Sequence, residues 1–323
     1  MPEITDSPPA GVKSDLDSLN AALDATIPKK KNSKNLLIAT WNIRKFGSLT
    51  RKWTASSGDT PKRDLRGLRA ICDIVKRLDV VAIQEVTGDL RALRDMMKYL
   101  GDRWAFLMTD ITLGSAGNME RIAFVFDTKR VKPSGLACEL VIPPEWIEEI
   151  HEDALTKQFA RTPYAVSFLS GKTTFILVTL HINYGKPKER IPELRAIARW
   201  MEDWAKRSSK WHHNLLTLGD FNIDRKGDKL WEAFVSTGLS VPEALMNVPR
   251  TIFEDPGTPD LESFYDQVAW FAEGDNKLID MDFASGGFVD FLPHVYRDQG
   301  MTKQSVSYRI SDHYPLWTEF KTG

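Results

Sequence analysis

From residue 36 onward the chain alternates between short apolar runs and amphipathic stretches. Leu36-Leu37-Ile38-Ala39-Thr40-Trp41 is an apolar run of strand length, as expected of a strand covered on both faces. Leu65, Leu68, Ile71, Cys72, Val75 and Leu78 then recur at helical spacing and predict an amphipathic helix. Asp79 to Ile83 reads as the next strand, and Leu90, Leu93, Met96, Met97 and Leu100 mark a second helix. Trp104 to Met108 and Arg121 to Phe126 follow as strands. Pro143, Pro144 and the acidic stretch to Asp153 suggest an inserted loop or short helix. Tyr164 to Leu169 and Thr173 to Leu180 flank Ser170-Gly171-Lys172, a hairpin signal. Ile191, Leu194, Ile197, Met201 and Trp204 predict a long helix, Leu215 to Leu218 a strand, and Leu230 to Phe234 a helix. The last strands are expected at Tyr265 to Phe271, Ile279 to Ala284 and Pro315 to Phe320. Strands outnumber helices, and hairpins mix with helical crossovers, which points to an α+β fold with helices covering sheets.

Residues 1–34 differ in kind. They are rich in Pro, Asp, Ser and Lys and end in Lys29, Lys30, Lys31 and Lys34. A disordered tail is expected there, with a short helix over Leu16 to Leu23 as the alternative, and residues 35–323 are expected to form a single domain.

Composition narrows the class only a little. The 323 residues are 42% hydrophobic, enough for one large core or two small ones. A formal charge of −1 gives no global basic field of the kind that advertises nucleic acid. Two cysteines, Cys72 and Cys138, make a disulfide framework an unlikely device. The first 34 residues lack the apolar stretch of a signal peptide. No run of about eighteen apolar residues occurs, so no membrane span is expected and a cytoplasmic location is the simplest reading. Protein partners are not indicated.

The informative polar residues lie at the ends of the apolar runs. The first strand closes with Asn42-Ile43-Arg44, the second with Gln84-Glu85-Val86, another with His181-Ile182-Asn183, and another with Gly219-Asp220-Phe221-Asn222. Glu120 and Asp266 open or flank two further strands, and Ser311-Asp312-His313-Tyr314-Pro315 precedes the last. Singly, an Asp or Asn after a strand is most often a turn residue. As a set, these residues are what metal-assisted cleavage of a phosphate ester needs. Mg²⁺ prefers oxygen donors, and Glu85, Asp312, Asp220 and the amides of Asn42 and Asn222 supply them. His181 and His313 can move protons near neutral pH. Glu120 and Asp266 are available to orient imidazoles.

Taken in order, Ala39-Thr40-Trp41-Asn42-Ile43-Arg44, Ile83-Gln84-Glu85-Val86, Thr179-Leu180-His181, Leu218-Gly219-Asp220-Phe221-Asn222, Tyr265-Asp266-Gln267 and Ser311-Asp312-His313-Tyr314-Pro315 resemble the endonuclease/exonuclease/phosphatase superfamily over about residues 36–320. Asn42-Ile43-Arg44 with Phe46-Gly47, and Glu120-Arg121, look most like its deoxyribonuclease I branch. The resemblance implies a four-layered α/β sandwich with two packed central sheets and all the motifs on one rim. It implies Mg²⁺, with Mn²⁺ or Ca²⁺ as substitutes or additions, held by Glu85 with Asn42 and Asp312. Asp220 and Asn222 would position phosphate, water or a second metal; His181 would be oriented by Glu120 and His313 by Asp266. Arg161 matches a phosphate-contacting arginine of that branch, and Arg44 and Asn183 are further phosphate-binding candidates.

Two departures bear on substrate. Thr87 stands where the branch carries a groove-reading Arg, and Asn118 where it carries a sugar-stacking Tyr. Both minor-groove contacts are therefore expected to be absent. Eight basic residues between Arg44 and Arg69 face only Asp59 and Asp64, so a positive surface near the rim competes with a merely solvated one. Trp53 is read as either a base-stacking residue or a side chain packed on its own loop, and Lys186, Lys188 and Arg190 as a smaller basic group with the same ambiguity. His212-His213 reads as surface. The leading expectation is a Mg²⁺-dependent endonuclease on DNA with limited sequence preference. The alternatives are a phosphatase or phosphodiesterase on a phospholipid, phosphoinositide or small nucleotide, a ribonuclease, and, last, a non-catalytic binding module.

Overall fold

A computed structural model of the chain describes residues 1–32, 34–112, 118–147, 158–207, 214–258, 262–273 and 277–322. In chain order the helices are α1 (Ala10–Thr26), α2 (Leu65–Lys76), α3 (Arg91–Leu100), the single turn α4 (Pro144–Ile147), α5 (Pro187–Lys206), α6 (Lys229–Val235) and α7 (Lys303–Ser307). The strands are β1 (Asn35–Phe46), β2 (Val80–Thr87), β3 (Trp104–Met108), β4 (Glu120–Asp127), β5 (Lys132–Glu139), β6 (Tyr164–Ser170), β7 (Thr173–His181), β8 (Leu215–Asp220), β9 (Asp266–Trp270), β10 (Asp282–Phe288) and β11 (Leu316–Lys321).

They form a six-stranded sheet, β10-β11-β1-β2-β4-β3, and a five-stranded sheet, β5-β6-β7-β8-β9. Successive β1 residues serve different cores, because side chains alternate across a strand. Leu36 and Ile38 join the five-stranded sheet's side chains in one core, whereas Leu37, Ala39, Trp41 and Ile43 pack with α1 and α2 residues in the other. The first core also takes in Leu194, Ile197 and Met201 of α5. The result is the expected sandwich of two packed sheets with helices on both outer faces.

Topology places the chemistry. β1 and β2 run parallel, as do β7 and β8, and α2 and α5 are their crossovers. The carboxyl ends of these four strands share one rim. β4, β9 and β11 run antiparallel to their neighbours, so their starts lie on the same rim. A buried polar bridge ties the two sheets just below it. Gln84 Nε2 donates to Thr40 Oγ1 at 3.1 Å and to Thr179 Oγ1 at 3.0 Å.

Three expectations need correction. The first 34 residues are not a disordered tail: α1 occupies 17 of them and buries Val12, Leu16, Leu19 and Leu23. Its Asp15 accepts bonds from Arg66 Nε at 2.9 Å and Nη2 at 2.7 Å. The apolar spacing lies inside a polar composition, and composition misled. β5 had no sequence signal, since Pro133 and Gly135 interrupt it and its residues are mostly exposed at the sheet edge. The strand expected at Ile279 to Ala284 begins at Asp282 and continues to Phe288. Of the acidic insert after Pro143, only Pro144–Ile147 is described as helix, and Asp153 and His212-His213 lie outside the described residues.

Candidate active site

Each candidate side chain owes its position to a local backbone requirement. Gly219 has a φ of +146, and a Cβ there would meet the Leu180 carbonyl oxygen at 2.1 Å. Only glycine lets β8 press this close to β7, which brings Asp220 opposite His181. Lys45, Glu85, Asn118, Met119 and Asn222 also have positive φ values, so five of the six such non-glycine residues lie on this rim. Such conformations cost on the order of 1–3 kcal/mol each and concentrate where side chains must be aimed.

Asp220 is at the centre, 1% exposed. Its Oδ2 accepts from Asn42 Nδ2 at 2.9 Å, and its Oδ1 from the Asn222 backbone N–H at 2.9 Å. His181 Nε2 is 3.5 Å from the same Oδ2. Burial works against this carboxylate, but the imidazoles of His181 and His313 with these two donors outweigh it and hold its pKa below the ordinary value.

On either side stands an imidazole with a carboxylate behind it. His313 Nδ1 is hydrogen-bonded to Asp266 Oδ2 at 2.7 Å. Burial opposes the imidazolium, but Asp266, Asp220 and Asp312 prevail and raise His313 from 6.5 to about 10. Burial lifts Asp266 to about 6 against the pull of His313. The Asp266 carboxylate thus favours the charged form of His313, while burial works against both charges. His181 Nδ1 lies 3.2 Å from Glu120 Oε2, and Arg161 Nε 3.1 Å from the same oxygen. Neither contact is aligned as a hydrogen bond. Burial resists ionisation of Glu120, yet His181, Arg161 and Asn118 lower its pKa. Asn118, where a sugar-stacking tyrosine would stand, instead donates to Glu120 Oε1.

The metal-ligand candidates form the third side. Asn42 Oδ1 is buried with no hydrogen-bond partner, because the amide nitrogen is committed to Asp220. Glu85, half-buried, accepts from the Lys45 N–H at 2.8 Å through Oε2. Asp312 Oδ2 pairs with Arg44 Nη1 at 3.0 Å. Among the described residues no three His, Cys, Asp or Glu side chains gather as a metal cage. A hard cation such as Mg²⁺ does not need one, since it takes one or two carboxylates and completes its shell with water and phosphate. An orphaned amide oxygen beside Glu85 fits that donor set. Asn222 spends its Nδ2 on the Ile182 carbonyl at 2.7 Å and so fixes the β7 end; Asn183 is half-buried just beyond.

Several basic candidates are otherwise employed. Arg63 donates to the carbonyls of Lys45, Arg44, Ile310 and Arg309, and Arg66 is buried against Asp15. Lys52 pairs with Asp59, Arg51 with Asp95, and Lys62 caps the carbonyls of Ser57 and Asp59. Within the stretch from Arg44 to Arg69, Arg63 and Arg66 are internal and Arg51, Lys52 and Lys62 are taken up by local partners. Trp53 packs against the outer core with Arg69 over its ring. Arg190 is buried and holds the Asn222 carbonyl and Asp224.

Two residues with no role expected from sequence complete the site. Ser311 Oγ donates to the Asn42 carbonyl at 2.6 Å and accepts from the N–H groups of Arg44 and His313. Its place in Ser-Asp-His was the available signal. Arg250, fully buried, donates to the carbonyls of Asp266 and Leu245 at 2.9 Å and 2.7 Å. Its own carbonyl accepts from Tyr314 N at 2.8 Å, so it clamps the backbones behind both members of the Asp266–His313 pair. An arginine in a loop carried no sequence signal for this.

Comparison with known proteins identifies the family. A profile of the Endonuclease/Exonuclease/phosphatase family matches residues 39–313, and the chain belongs to that family. No curated protein matches the sequence. Among solved structures, the mannosyl-6-phosphatase Bt3783 of Bacteroides thetaiotaomicron is similar at TM-score 0.57 and 17% identity, covering 88% of this chain and 99% of its own. TDP2 of D. rerio, complexed with a single-strand DNA product, is similar at TM-score 0.56 and 15% identity over 88% and 98%. The human nocturnin catalytic domain with bound sulfate gives 0.55 and 13% over 90% and 95%. At these identities the likeness is one of fold.

Proposed function

We propose that this protein is a divalent-metal-dependent phosphodiesterase that hydrolyses DNA by in-line attack of water on phosphorus. The observation that carries the reading is the pair of imidazole–carboxylate units, His181–Glu120 and His313–Asp266, facing the buried Asp220 from two sides. Glu85, Asn42 and Asp312 are the residues that would hold Mg²⁺, with Asp220 and Asn222 as further donors. When bound, the cation neutralises charge on the phosphoryl oxygens.

The chain's own residues do the rest. One imidazole takes a proton from the attacking water; the new P–O bond forms as the ester P–O bond opposite it breaks; the other imidazole returns a proton to the leaving oxygen. Glu120 and Asp266 keep the rings oriented and stabilise their charged forms. Arg44, Arg161 and Asn183 are the candidates for contact with the substrate phosphates. Arg161 is held by Glu120 and Arg44 by Asp312, so phosphate contact through either requires a change of partner.

A second reading, cleavage of a phosphomonoester, is favoured by the similarity to a mannosyl-6-phosphatase. Supercoiled plasmid, single-stranded DNA, RNA, a sugar phosphate and a phosphoinositide, each with Mg²⁺ or EDTA, separate the two. Metal-dependent cleavage of the plasmid or the single-stranded DNA that His181→Ala abolishes is the expected result. Release of inorganic phosphate with both DNA substrates intact would replace it with the phosphatase reading.

A further inference from the structure

Among the described residues few aromatic rings are exposed, and most of them are linked to the candidate site. Among the described residues the exposed large apolar side chains include four aromatics: Phe106, Tyr184, Phe253 and Tyr308. Phe106 is on β3, at the edge of its sheet. The other three border the site. Tyr184, 70% exposed, comes three residues after His181 and is braced by Arg190, whose guanidinium lies 5.5 Å from the ring centre. Phe253, 48% exposed, directly follows Thr251 and Ile252, which both bond the Asp312 carbonyl. Tyr308, 48% exposed, has the Arg44 guanidinium 4.3 Å over its ring, and Arg44 in turn pairs with Asp312. Tyr265 adds a half-buried ring 5.7 Å from the His313 imidazole.

Such rings cost solubility and do nothing for the core. Each is linked to the site, Tyr184 by its place after His181, Phe253 through the bonds of Thr251 and Ile252 to Asp312, and Tyr308 through Arg44, while much of each ring stays exposed. Two flank the Asp312–His313 side and one flanks the His181 side. Flat, sequence-indifferent platforms on both sides of a phosphate are what unpaired bases stack upon. A paired duplex keeps its bases stacked on each other and offers these rings nothing.

We infer that Tyr184, Phe253 and Tyr308 are stacking platforms for unpaired nucleobases flanking the scissile phosphate, so that the preferred substrate is a single strand or an unpaired strand end. This rests on the phosphodiesterase reading above and narrows its substrate. Base stacking on one aromatic side chain is worth on the order of tenfold in affinity.

The test uses the full chain with Mg²⁺ and three single-stranded substrates: a DNA oligonucleotide, its RNA counterpart, and the DNA backbone with abasic tetrahydrofuran residues on both sides of the cleavage position. A fully paired duplex is the fourth. Tyr184→Leu, Phe253→Leu and Tyr308→Leu keep bulk and remove the flat ring; Tyr184→Phe, Phe253→Tyr and Tyr308→Phe keep the ring. The expected result is a KM raised about tenfold by each leucine variant on base-bearing single strands, with kcat little changed, and restoration by each aromatic variant. The abasic strand should be a poor substrate for the parent protein and insensitive to the leucine changes. Preference between DNA and RNA then identifies the strand. Equal KM values for base-bearing and abasic strands, or leucine variants that match the parent, would overturn the platforms while leaving the phosphodiesterase standing. Loss of all turnover in the parent would instead overturn the phosphodiesterase reading itself.

Discussion

The two ends of the sheets bury carboxylates in opposite ways. At the end away from the site, Asp79 takes two bonds from Arg130, at 2.9 Å and 3.0 Å, and one from the Leu37 N–H at 2.9 Å. Its neighbour Asp127 is shared by Arg103, by Lys30 at 3.2 Å and by the Lys129 N–H. Neither carboxylate has an orphaned oxygen. At the site end, imidazoles and an amide join Arg161 and Arg44 as partners of the carboxylates, and Asn42 Oδ1 and Asp266 Oδ1 are buried without partners. One end is saturated and therefore structural. The other is left short of donors and acceptors, which is what a place for substrate, water and cation requires.

Four measurements would break or sharpen that contrast. The largest effect belongs to the site: His181→Ala and His313→Ala should each lower kcat per folded molecule roughly 10²–10⁴-fold. A kcat per folded molecule that stays at the parent value would make these histidines structural. Next comes the saturated end, where Asp79→Ala strands Arg130 and should cost about 3–5 kcal/mol in urea unfolding, with unchanged kcat per folded molecule.

The third is a pH effect at the same end. Burial raises the pKa of Asp127, but Arg103, Lys30 and the Lys129 N–H outweigh it and depress the folded value below 3.8. Its stabilising contribution is therefore complete above that unfolded value and disappears as pH falls through the lower folded one. Asp127→Asn should flatten the acid limb of the stability curve; parallel curves for variant and parent would refute the assignment. The smallest effect is metal binding without turnover. Saturating MgCl₂ should raise Tm by a few degrees, and Glu85→Gln or Asn42→Ala should abolish the shift while Asp79→Asn retains it. An undiminished shift in Glu85→Gln would move the cation elsewhere.

Sequence disclosed the site better than its support. Asn42, Glu85, His181 and Asp220 were legible because each is a polar residue interrupting an apolar run, and parallel strands joined by helices bring such ends together. What was not legible is the inversion of charge and burial. Arg63 stands only within an ambiguous basic stretch and Arg250 draws no reading, yet both are buried and bonded to backbone carbonyls. Burial pulls their pKa values down, to about 10 and about 9. No local pattern marks an arginine whose partners are carbonyls distant in sequence. Neither reading of the basic stretch of residues 44–69 foresees that Arg63 and Arg66 are buried, and α1 reads only as the alternative to a tail because its apolar rhythm lies in a polar composition.

The Asp15–Arg66 pair has a practical corollary for anyone dissecting the molecule. A recombinant fragment trimmed to the matched family boundaries, residues 39–313, would discard α1 and with it Asp15, the buried one of the two carboxylates that neutralise Arg66. The same cut removes β11, which occupies the slot between β10 and β1. Such a fragment would retain every candidate catalytic side chain and still be expected to precipitate, its exposed sheet edge open to pairing with other copies. Silence from that fragment in an enzyme assay would report on its borders rather than on its chemistry.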